Sequence, residues 1–122
     1  MLIENLYILD SFTHENGKAT AAITINANHQ IFEGHFPGQP VLPGVCQLQI
    51  VKELLEKAVE QKLFLSEAAN CKFLQMVDPT QTNQLIITLD YKQENSSINC
   101  NAVIKSSDAV FLKMSGRFTI VE

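Results

Sequence analysis

Cysteine, glycine and proline are scarce in this chain of 122 residues. The three cysteines, Cys46, Cys71 and Cys100, lie far apart and form no C-x-x-C pair. An odd number of widely spaced cysteines argues against a disulfide framework or a zinc site, and it indicates reduced thiols in a cytoplasmic protein. With five glycines and four prolines, the composition also excludes collagen-like and low-complexity chains.

Basic residues are also few, and they are scattered. The chain has 9 Lys and Arg against 13 Asp and Glu, which gives a formal net charge of −4. Without a cluster of cations, no nucleic-acid partner is expected. No apolar run approaches the ~18 residues that cross a bilayer, and the first residues lack the features of a signal peptide. We therefore expect a soluble, complete chain with no membrane partner.

Apolar residues alternate with polar ones over most of the sequence, which predicts strands. A hairpin is expected around Asn16-Gly17, a strong turn dipeptide. Further strands are predicted near residues 85–91, 100–104 and 110–120, and residues 71–76 form a weaker candidate.

The period becomes helical from Val45 to about Lys62, which predicts one helix of about five turns. Its predicted apolar face is formed by Val45, Leu48, Val51, Leu54, Leu55, Ala58 and Val59. Strands, one helix and then more strands predict an α+β domain, an antiparallel sheet packed on a single helix. The length supports one domain covering residues 1–122.

The segment between the hairpin and the helix, residues 32–44, holds three of the four prolines and three of the five glycines. Proline and glycine fix an irregular backbone here, so the ring of His35 is held near the start of the helix. The helix start at Pro43-Gly44 leaves unpaired N–H groups that can receive a developing oxyanion. A base beside such a donor suits proton abstraction next to a carbonyl, although a purely structural loop explains the same residues. His14 and His29 are expected to be structural.

Residues 34–45 resemble the signature G-H-F-P-G-x-P-x-x-P-G-V of the (3R)-hydroxyacyl-acyl-carrier-protein dehydratases of fatty-acid synthesis, the FabZ and FabA type. The resemblance extends more weakly over nearly the whole chain. It implies the hot-dog fold, in which a curved antiparallel sheet wraps one long helix. It also implies a homodimer or a larger assembly.

This resemblance assigns roles to individual residues. His35 would move the proton at C2 of a 3-hydroxyacyl thioester, and the backbone N–H of Gly44 would polarise the thioester carbonyl. The acyl chain would arrive on the phosphopantetheine arm of acyl carrier protein, so no metal or redox cofactor is implied. The substrate-binding positions are Phe36, Pro37, Gly38, Pro43 and Val45. Phe32, Phe36 and Leu42 are expected to line a substrate tunnel or a dimer contact.

The chain departs from the family at one catalytic position. The family's acid is a Glu or Asp on the helix of the other subunit, and the matching residue here is Gln49. An amide has no proton to give at neutral pH, and loss of a general acid typically costs about 10²–10⁴ in rate. Glu53, one turn later, lies about 40° away on the helical wheel with a rise of about 6 Å. It is either a substitute acid or part of a solvated helix face.

Three functions remain open from the sequence. The first is a dehydratase-like enzyme in fatty-acid synthesis or in related polyene or polyketide synthesis. The second is a weak or silent subunit that binds acyl carrier protein or pairs with an active paralogue as a hetero-oligomer, which Gln49 favours. The third is an acyl thioesterase, which leaves the His-Phe-Pro-Gly loop unexplained. Cys46 lies at the helix start, where a nucleophile can arise, but a packing role is expected.

Overall fold

A computed structural model describes residues 5–33 and 40–121. Six strands form one antiparallel sheet in the order β1-β2-β4-β5-β6-β3. The elements are β1 (Tyr7–Glu15), β2 (Lys18–Ile25), a 3₁₀ turn (Gln30–Phe32), α1 (Gly44–Val59), β3 (Leu63–Phe73), β4 (Gln84–Glu94), β5 (Ser97–Lys105) and β6 (Val110–Ile120). The predicted α+β class, an antiparallel sheet packed on one long helix, is confirmed.

The core lies between one face of the sheet and α1. Alternate residues of the strands point into it, so Ile23, Ile87 and Ile104 are almost completely buried while their neighbours face outward. Burying each large apolar side chain contributes roughly 1.5–3 kcal/mol. This alternation confirms the strands that were predicted near residues 85–91, 100–104 and 110–120.

The β1–β2 hairpin turns at Asn16 and Gly17, as predicted. Both residues have positive φ, 51° and 79°, the combination that a two-residue type I′ turn requires. The carbonyl of Gly17 accepts a hydrogen bond of 2.8 Å from the N–H of Tyr91. A Cβ atom at Gly17 would lie 2.8 Å from the Tyr91 carbonyl oxygen, so the turn packs too closely on β4 for a side chain.

Helix α1 ends at Val59, three residues before the predicted end near Lys62. Glu60 adopts the left-handed conformation (φ 56°, ψ 41°) and stops the helix. The carboxylate of Glu56 then accepts a hydrogen bond from the N–H of Leu63, at 2.8 Å, where β3 begins. Because neither glycine nor proline marks this stop, the sequence pattern did not reveal it.

The buried face of α1 agrees with the prediction in the second half of the helix and differs from it near the helix start. Val45 is 74% exposed and Leu48 is half-buried, whereas Cys46 and Ile50 are buried. The predicted face did not include Gln47, yet this residue is buried too. The face that packs on the sheet is therefore rotated toward Cys46, Gln47 and Ile50.

Strand β3 was predicted only as residues 71–76, but it spans Leu63–Phe73. Its register with β6 shifts twice, between Leu65 and Glu67 and between Ala68 and Asn70. Each irregularity places two residues of β3 opposite one residue of β6, which breaks the alternation of apolar and polar residues that identifies a strand. The first part of β3 therefore gave no period-two signal.

Replacing Gly17 by alanine is expected to destabilise the protein by about 1–3 kcal/mol, because the new Cβ adds strain at positive φ and a contact with Tyr91. Chemical denaturation measures this loss. Asn16→Gly, in the same turn and without an added Cβ, is the matched control and is expected to change stability by less than roughly 0.5 kcal/mol. Equal stability of Gly17→Ala and wild type would contradict this account of the turn.

Candidate active site

The N-terminus of α1 forms the first part of the candidate site. Pro43 precedes the helix, and its carbonyl accepts hydrogen bonds from Cys46 at 3.0 Å and Gln47 at 3.1 Å. The N–H groups of Gly44 and Val45 come before these first helical bonds, at the positive end of the helix dipole. Such N–H groups can stabilise an oxygen that gains negative charge.

The ring of Phe73, the last residue of β3, packs against Gly44. A Cβ atom on Gly44 would lie 2.8 Å from Cζ of this ring, which is closer than Cβ contacts in real proteins. Glycine is therefore required if the ring is to reach the helix start. Phe73 is 48% exposed, so the other part of its ring remains accessible beside Gly44. The sequence did not identify Phe73, because this residue lies 29 positions after Gly44 in the chain.

A polar cluster formed by Tyr7, Gln49 and Glu53 lies further along α1, after the helix start; we call it the Glu53 cluster. The hydroxyl of Tyr7 donates to Oε1 of Glu53 at 2.8 Å, and Nε2 of Gln49 donates to Oε2 at 2.9 Å. Each carboxylate oxygen of Glu53 therefore accepts one hydrogen bond from a side chain. The structure thus brings Gln49 and Glu53 together, as their spacing on the helical wheel predicted.

Tyr7 was not identified from the sequence, because nothing in its strand indicates a contact with a residue 46 positions later. Burial raises its pKa, and the hydrogen bond and negative charge of Glu53 raise that pKa further. Tyr7 therefore remains a neutral hydrogen-bond donor over the physiological pH range. With Nε2 of Gln49 held by Glu53, the amide oxygen Oε1 is the atom of Gln49 that can accept a bond from a ligand.

The remaining predicted site residues are distributed as follows. His35, Phe36, Pro37 and Gly38 lie outside the described residues. Pro43 is half-buried before the helix, and Val45 is exposed. Phe32 and Leu42 were expected to line a tunnel or a dimer contact, but both are buried in the core of the chain. Their burial leaves almost no side-chain surface for a dimer contact, so that part of the expectation was wrong for these two residues.

The other two histidines make local contacts. The His14 ring lies 5.5 Å from the Phe12 ring on β1. Nδ1 of His29 accepts a hydrogen bond of 3.0 Å from the N–H of Ile31 and so caps the 3₁₀ turn.

All three cysteines are free. Cys46 and Cys100 are buried, and burial raises the pKa of the Cys46 thiol. Burial, with a smaller contribution from Asp90, raises the pKa of Cys100 to about 12. A raised pKa disfavours the thiolate, so the structure supports a packing role for Cys46 rather than a nucleophilic one.

A six-stranded antiparallel sheet with one long helix against it defines a hot-dog protein. A family model described as ApeI-like, ApeI dehydratase, matches residues 11–112. The chain belongs to this family of dehydratases.

Two relatives carry the same type of name, 3-hydroxyacyl-[acyl-carrier-protein] dehydratase FabZ. The protein from Clostridium acetobutylicum is 35% identical over 83 residues, which cover 62% of this chain and 59% of the relative. The chain thus spans about six tenths of that relative's length. The protein from Lactobacillus helveticus is 27% identical over 121 residues, covering 88% of this chain and 82% of the relative.

Solved structures share the fold. A chain of the dehydratase heterocomplex ApeI:P from Xenorhabdus doucetiae matches with a TM-score of 0.74 and 19% identity, over 92% of this chain and 96% of that one. A mutant thioesterase from Pseudomonas aeruginosa matches with a TM-score of 0.64 and 12% identity, over 90% of this chain and 79% of that one. Within the described ranges, α1 is too short and too polar to cross a membrane.

Alkylation of the native protein by iodoacetamide near pH 8 is expected to leave Cys46 and Cys100 unmodified, because both thiols are buried and have raised pKa values. Peptide mapping by mass spectrometry measures the modification. The unfolded protein, in which all three thiols react, is the control. Faster modification of Cys46 than of the half-buried Cys71 would contradict the packing role.

Proposed function

We propose that the protein is a 3-hydroxyacyl thioester dehydratase that forms trans-2-enoyl thioesters reversibly. The observation that carries this proposal is the match to the dehydratase family over residues 11–112, which include the His-Phe-Pro-Gly segment and the whole of α1. The N–H groups at the start of α1 support it, because elimination of water next to a thioester needs a donor for the carbonyl oxygen.

The proposed reaction breaks one C–H bond and one C–O bond, forms one C=C double bond and transfers two protons. His35 removes the proton at C2 of the substrate, and the N–H of Gly44 stabilises the negative charge on the thioester oxygen. The electron pair then forms the C2–C3 double bond as the hydroxyl leaves C3. With one added proton this hydroxyl departs as water, so the reaction requires no metal or redox cofactor.

Glu53 is proposed as the source of that added proton. In the family the acid occupies the position of Gln49, and here the Gln49 amide contacts the Glu53 carboxylate at 2.9 Å. A carboxyl group thus lies one hydrogen bond from the family's acid position. Gln49 orients the leaving hydroxyl through its Oε1, while the Glu53 carboxyl group delivers the proton.

Acyl carrier protein is the proposed carrier of the substrate. Lys72 on β3 and Lys113 on β6 are directly opposed on the outer face of the sheet, and both are exposed. Like charges in this arrangement destabilise a sheet, so an acidic partner would relieve the repulsion. Among the described residues the two side-chain ion pairs use other cations, Lys92 and Arg117.

The assembly proposed is a dimer of hot-dog chains, made either with a second copy or with a related chain. The Xenorhabdus doucetiae structure is that of a dehydratase heterocomplex, which favours a dimer made with a related chain. Gln49 favours the same alternative, in which this chain is a weak or silent subunit beside an active dehydratase.

Exchanging the two helix residues tests the proposed acid. Glu53→Gln is expected to lower kcat for hydration of a trans-2-enoyl thioester by about 10²–10⁴, because it removes the proton source. The double variant Gln49→Glu with Glu53→Gln returns the carboxyl to the family position and is expected to recover most of the activity. Absorbance of the enoyl thioester measures the rate.

Glu60→Gln, at the exposed position that directly follows the helix, is the control and is expected to retain wild-type activity. Thermal melts of all variants separate catalytic loss from unfolding. Full activity of Glu53→Gln would exclude Glu53 as the acid. An inactive wild type whose activity appears with Gln49→Glu would instead support the silent subunit.

Replacing Lys72 and Lys113 together by glutamine is expected to raise KM for a carrier-bound substrate about tenfold at low salt, because attraction to the acidic carrier is lost. KM for the N-acetylcysteamine thioester, which has no carrier, is expected to stay unchanged. Lys92→Gln, which removes a cation next to Glu94, is the control. An equal change of KM for both substrates would rule out a docking role.

A further inference from the structure

Gln47 is a buried polar side chain within the apolar core. It is 3% exposed and lies in the first turns of α1, between the buried residues Cys46 and Ile50. In the described part of the chain it is the one buried residue with a polar side chain. Polar groups at such positions usually have hydrogen-bond partners, so its contacts indicate its role.

One end of the Gln47 amide holds the segment that precedes the helix. Nε2 donates to the carbonyl of Leu42 at 3.2 Å, while the N–H of Leu42 donates to the carbonyl of Val77 at 2.8 Å. Both backbone groups of Leu42 are therefore fixed, one by the helix and one by the chain that follows β3. Leu42 lies two residues before Gly44 and seven residues after His35 in the sequence.

The other end of the amide, the oxygen Oε1, accepts no hydrogen bond from the described residues. Oε1 of Gln47 is buried, and no described residue donates to it. An apolar residue of similar size would remove this unpaired oxygen, but it would leave the Leu42 carbonyl without a donor. With glutamine at position 47 the unpaired oxygen is its own Oε1, and with an apolar residue it is the Leu42 carbonyl oxygen, so stability alone does not favour glutamine. What glutamine adds is a hydrogen bond that fixes the position of Leu42.

We propose that Gln47 is a positioning residue: by holding Leu42, it keeps residues 42–44, and with them the Gly44 N–H, in place at the start of α1. This inference rests on the proposed function and adds a residue that does not touch the substrate. A displacement of about 1 Å at a reacting group can lower a rate as much as 10²-fold, so a small movement of this segment is sufficient.

Gln47→Met tests the proposal, because methionine nearly preserves the volume and removes the amide. Its melting temperature is expected to stay close to that of wild type, while kcat for enoyl thioester hydration falls about tenfold or more. KM is expected to remain within about twofold, since Gln47 is buried away from substrate. Ile50→Met, a neighbouring buried position on the same helix face, is the matched control and is expected to keep wild-type kcat.

Hydrogen exchange of the Leu42 amide provides a second measurement that does not depend on activity. Exchange is expected to be about tenfold faster in Gln47→Met than in wild type or in Ile50→Met, because one of the two anchors of Leu42 is lost. Unchanged exchange, or unchanged kcat in an active enzyme, would overturn the proposal. Failure of the proposed function shows separately, as a wild type that does not hydrate the substrate while the exchange difference persists.

Discussion

The position of each described candidate site residue depends on how one face of α1 packs against the sheet. A 16-residue helix is marginally stable in isolation, so burial of Ile50, Leu54 and Leu55 holds it in place. The same packing brings the start of the helix to Phe73 at the end of β3, and it turns Glu53 toward Tyr7 on β1. Two chemically different regions thus lie on one rigid element, a donor region at Gly44 and a carboxylate region at Glu53.

In the proposed mechanism, the carboxylate region supplies the acid that the resemblance to the dehydratases places at position 49. Gln49 and Glu53 are one helical turn apart and share a hydrogen bond, so a carboxyl group lies next to that position. Tyr7 holds the second oxygen of the same carboxylate and remains protonated because burial and Glu53 raise its pKa. Glu53, the proposed acid, and Gln49, the proposed orienting group, therefore lie in one hydrogen-bonded cluster.

The sequence was sufficient to predict features that depend on local periodicity or turn chemistry. The alternation in β4, β5 and β6 and the Asn16-Gly17 turn were predicted, and so was a helix behind the proline-rich segment. The register shifts of β3 and the left-handed Glu60 leave no such pattern, so the start of β3 and the end of α1 were missed. The sequence did not identify Tyr7, Phe73 or Gln47, because their positions depend on contacts between distant segments or on burial. Local sequence contains neither kind of information.

The central claim, a dehydratase whose base is His35, is tested most directly by incubating a trans-2-enoyl thioester with the wild-type protein in D₂O and recording the mass of the products. The account predicts a 3-hydroxyacyl thioester with one deuterium at C2, formed by wild type and not by His35→Ala. A free fatty acid would indicate a thioesterase, and an unchanged enoyl thioester would indicate a silent subunit. Either result would contradict the account.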